Sequence, residues 1–142
     1  MNYLLDTCVI SELVKRKPNL QFKSWFNQQE QSQLFLSAIT LAEIKKGIYK
    51  IKPTQPDRAV KLQRWLNTIE ISFSQRILPI TDEVLEQWAR LSALAENEGN
   101  TIAVMDGLIG ATAYYYDSVL VTRNVDDFKK LPVKIINPFT SD

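Results

Sequence analysis

Not one histidine occurs among the 142 residues. That absence removes a Ser-His-Asp triad, a Cys-His pair, any histidine acid–base couple and every histidine-containing zinc site. Cysteine is nearly as scarce. The single Cys8 excludes an internal disulfide framework and any multi-cysteine zinc site, in agreement with a reducing compartment. No apolar run approaches the roughly 18 to 20 residues that a membrane span needs, and Met1-Asn2-Tyr3-Leu4-Leu5-Asp6 lacks the basic start and long apolar stretch of a signal peptide. A cytoplasmic protein with no membrane partner is expected. Neither sign of charge dominates: 17 Lys and Arg against 16 Asp and Glu leave +1, too even by itself to announce a nucleic-acid binder. With imidazole gone, the available metal ligands are oxygens, and clustered carboxylates suit hard cations such as Mg²⁺ or Mn²⁺.

A hydrophobic content of 45% is ample for one core, and no repeat, low-complexity segment or linker divides the chain, so residues 1–142 are expected to form a single domain. Tyr3-Leu4-Leu5 reads as a strand running straight into Asp6, with Val9, Ile10, Leu13 and Val14 following at helical spacing. Residues 20–28 read as helical. Leu34 to Ile39 is a second buried strand, and a helix is predicted from Thr40, where Thr40-Leu41-Ala42-Glu43 matches a capping box. Pro53 and Pro56 break the chain before an amphipathic helix through Val60, Leu66 and Ile69 that ends near Phe73. Residues 77–80 form a short strand; a helix starts at Thr81-Asp82-Glu83 and closes at Gly99. A helix over roughly 105–116, a strand over 118–122, a helical turn over 126–130 and a last strand over 133–136 complete the reading.

Strands alternating with helices predict an α/β three-layer domain with a mostly parallel sheet. In open α/β sheets, ligands bind beyond the carboxyl ends of the strands. Asp6 falls there, Glu43 lies one turn into the helix after the second strand, and Asn124 and Asp127 follow the strand that ends at Thr122. Each acid has an ordinary explanation too. Asp6 could cap a helix, Glu43 could complete the Thr40 capping box, Asp106 could favour the positive end of its helix, and Asp127 could be a surface cap. Taken together they predict a functional cluster of Asp6, Glu43 and Asp106, with Asp127 as a fourth member. Crowded carboxylates repel and favour protonation unless a cation compensates. A divalent ion held this way activates water and neutralises phosphate oxygens, which suits phosphodiester hydrolysis.

Charge is distributed unevenly. Residues 45–64 carry Lys45, Lys46, Lys50, Lys52, Arg58, Lys61 and Arg64 against Asp57 alone, while residues 82–98 carry five acids against Arg90. A phosphate-facing surface and a solvated helix face both account for the basic run. Gly107 and Gly110 sit inside a predicted helix at a cost of about 1 kcal/mol each relative to alanine, so tight packing of that helix on the sheet is expected. Tyr114 to Tyr116 and the three tryptophans, Trp25, Trp65 and Trp88, are assigned to packing.

These residues carry a resemblance. Leu4-Leu5-Asp6-Thr7-Cys8-Val9-Ile10-Ser11-Glu12, Leu36 to Ile44 with Gly47, Asp106 to Ala113, and Val121 to Phe128 with Asn137-Pro138 occur in the order and spacing of PIN-domain toxins of the VapC and FitB kind, and span nearly the whole chain. The resemblance implies an Mg²⁺- or Mn²⁺-dependent endoribonuclease that acts on RNA as a toxin, is inhibited by a cognate antitoxin protein, and forms a homodimer. By position, Asp6 and Asp106 match the metal-binding aspartates and Glu43 the acid of the second motif. Two departures stand out: Cys8 occupies a place where Asn often follows Asp-Thr, and Thr122-Arg123-Asn124 replaces Thr-Arg-Asp, so a neutral amide stands where a fourth acid is usual. Those departures keep open an alternative, a PIN-like module that binds RNA or protein with weak catalysis. An aspartyl phosphatase fits less well, because Asp6-Thr7-Cys8 lacks the second aspartate two residues on that such sites generally use.

Overall fold

The centre of the computed structural model is a sheet of five short strands: β1 (Tyr3–Leu5), β2 (Leu34–Ser37), β3 (Ile77–Leu78), β4 (Val119–Val121) and β5 (Ile135–Ile136). Residues 1–140 are described; residues 141 and 142, part of the expected domain, lie outside the described residues. Every pairing is parallel, in the order β3-β2-β1-β4-β5. Among the described residues seven α-helices connect and flank the strands: α1 (Thr7–Leu13), α2 (Leu20–Asn27), α3 (Ala38–Ile51), α4 (Pro56–Ser72), α5 (Asp82–Asn97), α6 (Val104–Tyr115) and α7 (Val125–Phe128).

Successive strand residues point to opposite faces, and here both faces are dry. Leu5, Leu34, Leu36 and Val121 join Val9, Ile10, Phe22, Leu41 and Leu66 in one core, while Leu4 and Leu120 join Leu91, Ile109, Ala113, Phe128 and Leu131 in the other. The expected three-layer α/β architecture is therefore present, and the sheet is wholly parallel. The chain runs outward from β1 through β2 to β3, then returns to the other side of β1 as β4. At such a reversal, neighbouring strands send their following segments apart and leave a crevice at the carboxyl edge. Here β1 and β4 flank it, so the residues after Leu5 and after Val121 face one another.

Local chemistry sets most helix ends. Thr81 caps α5 by accepting the Val84 N–H at 3.2 Å, with Asp82 and Glu83 in the first turn, and Gly99, at φ +84°, ends the segment that follows. Helix α3 departs from expectation. It begins at Ala38, not Thr40, and its cap is Ser37, whose Oγ accepts the Ile39 N–H at 3.1 Å. The predicted second strand ran two residues too far because Ala38 and Ile39 prolong an apolar run that carries no visible break. Thr40 is buried inside the helix, so the capping box does not exist and Glu43 is free of that duty.

The helical glycines also differ from expectation in their partner. A Cβ on Gly107 would lie 2.9 Å from Nε1 and 3.0 Å from Cδ1 of Trp88, and one on Gly110 would lie 2.5 Å from Cδ1 of Leu131. The close approach is to α5 and to the segment after α7, not to the sheet. Trp25 meets Tyr3 edge-on with centroids 5.3 Å apart, as packing tryptophans do. Tyr114 and Tyr115 are exposed and so lie outside the core, packing only locally, Tyr115 edge-on to Tyr116 and Tyr114 beneath Arg90. Among the described residues no helix is long and apolar enough to cross a membrane.

Candidate active site

Asp6 stands at the crevice between β1 and β4, directly after β1 and at the N-cap of α1. It is 4% exposed, and three donors hold it. Oδ1 accepts the Thr7 N–H at 2.8 Å; Oδ2 accepts the Thr122 hydroxyl at 2.8 Å and, more weakly, the Cys8 thiol at 3.6 Å. Its capping role and its place at the sheet edge therefore coexist. Burial raises the Asp6 pKa and outweighs the opposing donors, with the negative charge of Asp127 adding to the rise. The Cys8 thiol is also pushed up, first by burial and then by Asp6, and so remains protonated. Cys8 serves here as a weak donor to the carboxylate where an amide would be a stronger one.

Glu43 lies on the side of α3 that faces α1. Thr7 Oγ1 donates to its Oε1 at 2.7 Å and lies 3.3 Å from the buried hydroxyl of Thr40. The residue after Asp6 thus orients Glu43, 36 positions away. Beside it opens a groove of about 400 Å³ between α1, α3 and α4, bordered by Lys15, Gly47, Arg58 and Trp65. Gly47 leaves open space where a side chain would stand, and Arg58 of the basic stretch and Lys15, just after α1, reach this groove.

Asp106 occupies the first turn of α6, as its helix-start explanation predicted. Its pKa is raised to about 6, first by burial and then by the negative charges of Asp127, Asp6 and Glu43 in that order. The other three predicted acids therefore all act on this one carboxyl group. Asp127 is exposed, on the one-turn helix α7, yet it is the strongest charged neighbour of Asp106. Asn124 turns the chain between them: its N–H donates to Thr122 Oγ1 at 2.9 Å, and its carbonyl accepts the Asp127 N–H at 3.0 Å.

Among the described residues, none of these four acids makes an ion pair; the salt bridges involve Glu12, Glu70 and Asp126. Nor, among the described residues, do three such side chains close around one ion-sized space. The donor set nonetheless fits a hard divalent cation in kind: hard oxygen donors at mutual repulsion, and no lysine or arginine compensating them. Asp6 and Glu43 are held by hydrogen bonds, while Asp106 makes no side-chain hydrogen bond among the described residues.

One further residue, with Arg123 as a partner, shapes the site without having been predicted as a site residue. Glu12, at the end of α1, is 3% exposed and makes ion pairs with Lys15 at 2.8 Å and Arg123 at 3.3 Å, while also accepting the Asn19 N–H at 2.7 Å. The Lys15 hydrogen bond leads in holding its pKa below the ordinary carboxylate value. The available signal was an acid within the apolar stretch Val9 to Val14; nothing local names its partner.

The family model described as PIN domain matches residues 3–134. The chain is 34% identical to VapC ribonuclease Y4jK of Sinorhizobium fredii over 136 residues, covering 96% of each. It is 32% identical to toxin FitB of Neisseria gonorrhoeae over 136 residues, covering 96% of this chain and 97% of that one. In the crystal structure of FitAcB from Neisseria gonorrhoeae, a chain 33% identical to this one superposes with a TM-score of 0.89, covering 96% of this chain and 98% of the other. The parallel sheet, the acids at its carboxyl edge and these similarities agree: the chain belongs to the PIN domain family.

Proposed function

We propose that this chain is an endoribonuclease toxin of a toxin–antitoxin pair, hydrolysing RNA phosphodiester bonds with Mg²⁺ or Mn²⁺ held by Asp6, Glu43 and Asp106, and with Asp127 completing the acidic site. The observation that carries this reading is Asp106. A carboxyl raised to about 6 by burial and three neighbouring acids, with no cationic side chain paired to it among the described residues, is a group arranged for an external cation. The relatives named VapC ribonuclease and toxin FitB support the substrate and the biological role. By analogy with them, the partners are a cognate antitoxin protein and a second copy of the chain.

Asp6 and Glu43 are oriented in advance, by Thr122, the Thr7 N–H and Cys8 on one side and by the Thr7 hydroxyl on the other. That saves the ordering that free side chains would undergo on binding. Asp106, in the first turn of α6, and Asp127, on α7, complete the set. When bound, a divalent cation supplies compensation of this charge, activation of water and neutralisation of phosphate. Lys15 and Arg58 at the neighbouring groove bring positive charge to an otherwise acidic entrance, which favours a polyanion.

The test is cleavage of a labelled RNA by the purified protein. Activity is expected with Mg²⁺ or Mn²⁺, and its loss in EDTA, in Asp6→Asn and in Asp106→Asn, with the fold of both variants intact. Undiminished cleavage in EDTA would sink the proposal. A second reading, a PIN-like module that binds RNA or protein without efficient turnover, is favoured by the open side-chain arrangement of the acids and by Cys8 and Asn124. Calorimetric titration separates the two: no Mn²⁺ binding supports the module, whereas binding abolished by Asp106→Asn supports the enzyme.

A further inference from the structure

Two ties join α1 to the segment that follows β4. At the start of the helix, Thr122 Oγ1 donates to Asp6 Oδ2 at 2.8 Å. At its end, Glu12 Oε1 receives Arg123 Nη2 at 3.3 Å. The two partners on the far side are consecutive residues, so the ties meet at one point of the chain and diverge along α1. The Thr122 end is already seated, by its N–H on the Ile136 carbonyl at 3.1 Å and by the long Cys8 Sγ contact at 3.6 Å; the Arg123 tie, one helix length away, restrains the residue after it.

The second tie is itself firmly seated. Glu12 is 3% exposed, and its other oxygen accepts the Asn19 N–H at the start of α2, at 2.7 Å. The Arg123 guanidinium lies 4.0 Å from the centroid of the Phe139 ring, and that ring stacks on Phe22 with centroids 4.9 Å apart. A buried carboxylate, a cation–π contact and an aromatic stack thus fix the residue between Thr122 and Asn124. What Arg123 fixes is the root of the turn that carries Asp127 to Asp106 and Asp6.

We infer that Glu12 and Arg123 are positioning residues, a clamp that holds the Thr122–Asp127 segment so that Asp127 and the Thr122 hydroxyl stay beside the acids of the crevice. Neither residue touches the ion or the RNA in this role. The inference rests on the proposed cation site, and its consequence is felt before any RNA arrives: releasing the clamp weakens the cation by loosening the groups around it. Outer residues that orient ligands typically contribute about 10- to 100-fold in metal affinity, and the lower figure suits a pair that acts at one remove.

The experiment compares the parent with Arg123→Met, Arg123→Lys, Glu12→Gln and the Glu12→Gln/Arg123→Met double variant, titrating Mn²⁺ calorimetrically without RNA and following amide hydrogen exchange over residues 122–128. Arg123→Met and Glu12→Gln are each expected to weaken Mn²⁺ about tenfold and to speed exchange in that segment, while exchange in α4 and α5 stays as in the parent. The double variant should be no worse than the weaker single one, and Arg123→Lys should recover part of the affinity. Should Glu12→Gln fail to fold, the two Arg123 variants decide alone, since Arg123 is half-exposed. Mn²⁺ affinity within twofold of the parent in Arg123→Met would overturn the clamp, and a raised KM for RNA with unchanged Mn²⁺ affinity would show Arg123 to be an RNA contact instead. If the parent itself binds no Mn²⁺, the proposed function fails, and the exchange measurement still decides whether Glu12 and Arg123 hold the segment.

Discussion

Replacing Asp106 by Asn should stabilise the cation-free protein while abolishing its activity. In the folded chain the Asp106 pKa rises from 3.8 to about 6, so the folded state binds a proton that the unfolded state has already released over that interval. Stability contributed by this group is therefore highest below about pH 4 and falls as pH rises towards 6, after which the deficit is constant. At about 1.4 kcal/mol per pKa unit the full deficit is about 3 kcal/mol; solvent screening of a partly exposed carboxyl halves this to about 1.5 kcal/mol. An opposing effect comes from the first turn of α6, where a negative charge gains about 0.5 kcal/mol from the helix dipole that Asn forfeits. Burial and repulsion together win by about 1 kcal/mol, which for a chain of this length raises Tm by about 3 to 4 °C. Circular dichroism melts in EDTA at pH 7.5 should show that gain, and melts at pH 4 should show it gone. Adding Mn²⁺ should reverse the order, because a ligand at a hundredfold its Kd stabilises the parent by about 2.7 kcal/mol and the variant hardly at all. A lower Tm for Asp106→Asn in EDTA at pH 7.5, or a gain independent of pH, would refute the electrostatic account of the site.

Thr122→Val keeps the shape of the side chain but leaves Asp6 Oδ2 and the Asn124 N–H without their shared hydroxyl; denaturant melts should show a loss of about 1 to 3 kcal/mol, and RNA cleavage should fall about tenfold. The two glycines Gly47 and Gly107 should respond in opposite directions. Gly47→Ala enters open space in α3, so helix propensity alone predicts a gain of about 1 kcal/mol in the same melts. Gly107→Val drives a branched side chain into the Trp88 indole and should cost about 1 to 3 kcal/mol, with RNA cleavage reduced further because Asp106 moves with α6. A stable, fully active Gly107→Val protein would mean that α5 and α6 are not held at the spacing described.

The sheet was legible in the sequence because each strand is a short apolar run, and β1, β4 and β5 stop at a polar residue, Asp6, Thr122 and Asn137. Asp6 after Leu5 and the Thr122–Asp127 segment after Val121 follow from that pattern, and the parallel order then brings them together. Glu43 was placed at the right edge because it follows the second strand by about one helical turn, and its rival explanation falls away: the capping box is absent, since Ser37 caps α3 and Thr40 is buried beside Thr7. A local motif offered one explanation of an acid, and a tertiary hydrogen bond supplied another. The packing of Gly107 against Trp88 was invisible for the same reason, because a glycine announces close approach without naming what approaches.

What orients the acids belongs to a different class of information from what places them. Placement depends on where a strand ends, a matter of neighbouring residues. Orientation depends on partners 36, 116 and 111 positions distant: Thr7 with Glu43, Thr122 with Asp6, Arg123 with Glu12. None of these pairs has a spacing rule, and threonine and arginine are ordinary surface residues when seen singly. Departures within the motifs fall on the same division. Cys8 and Asn124 replace side chains that would have added an amide and a carboxylate, yet the backbone of Asn124 still delivers Asp127 to Asp106, and Cys8 still faces Asp6 as a weak donor. The substitutions thus change the strength of individual contacts while leaving the turn that brings the fourth acid to the crevice. The demand on the Thr122–Asp127 segment is correspondingly greater, because an acid three residues further along a turn is held in place only as well as the turn itself.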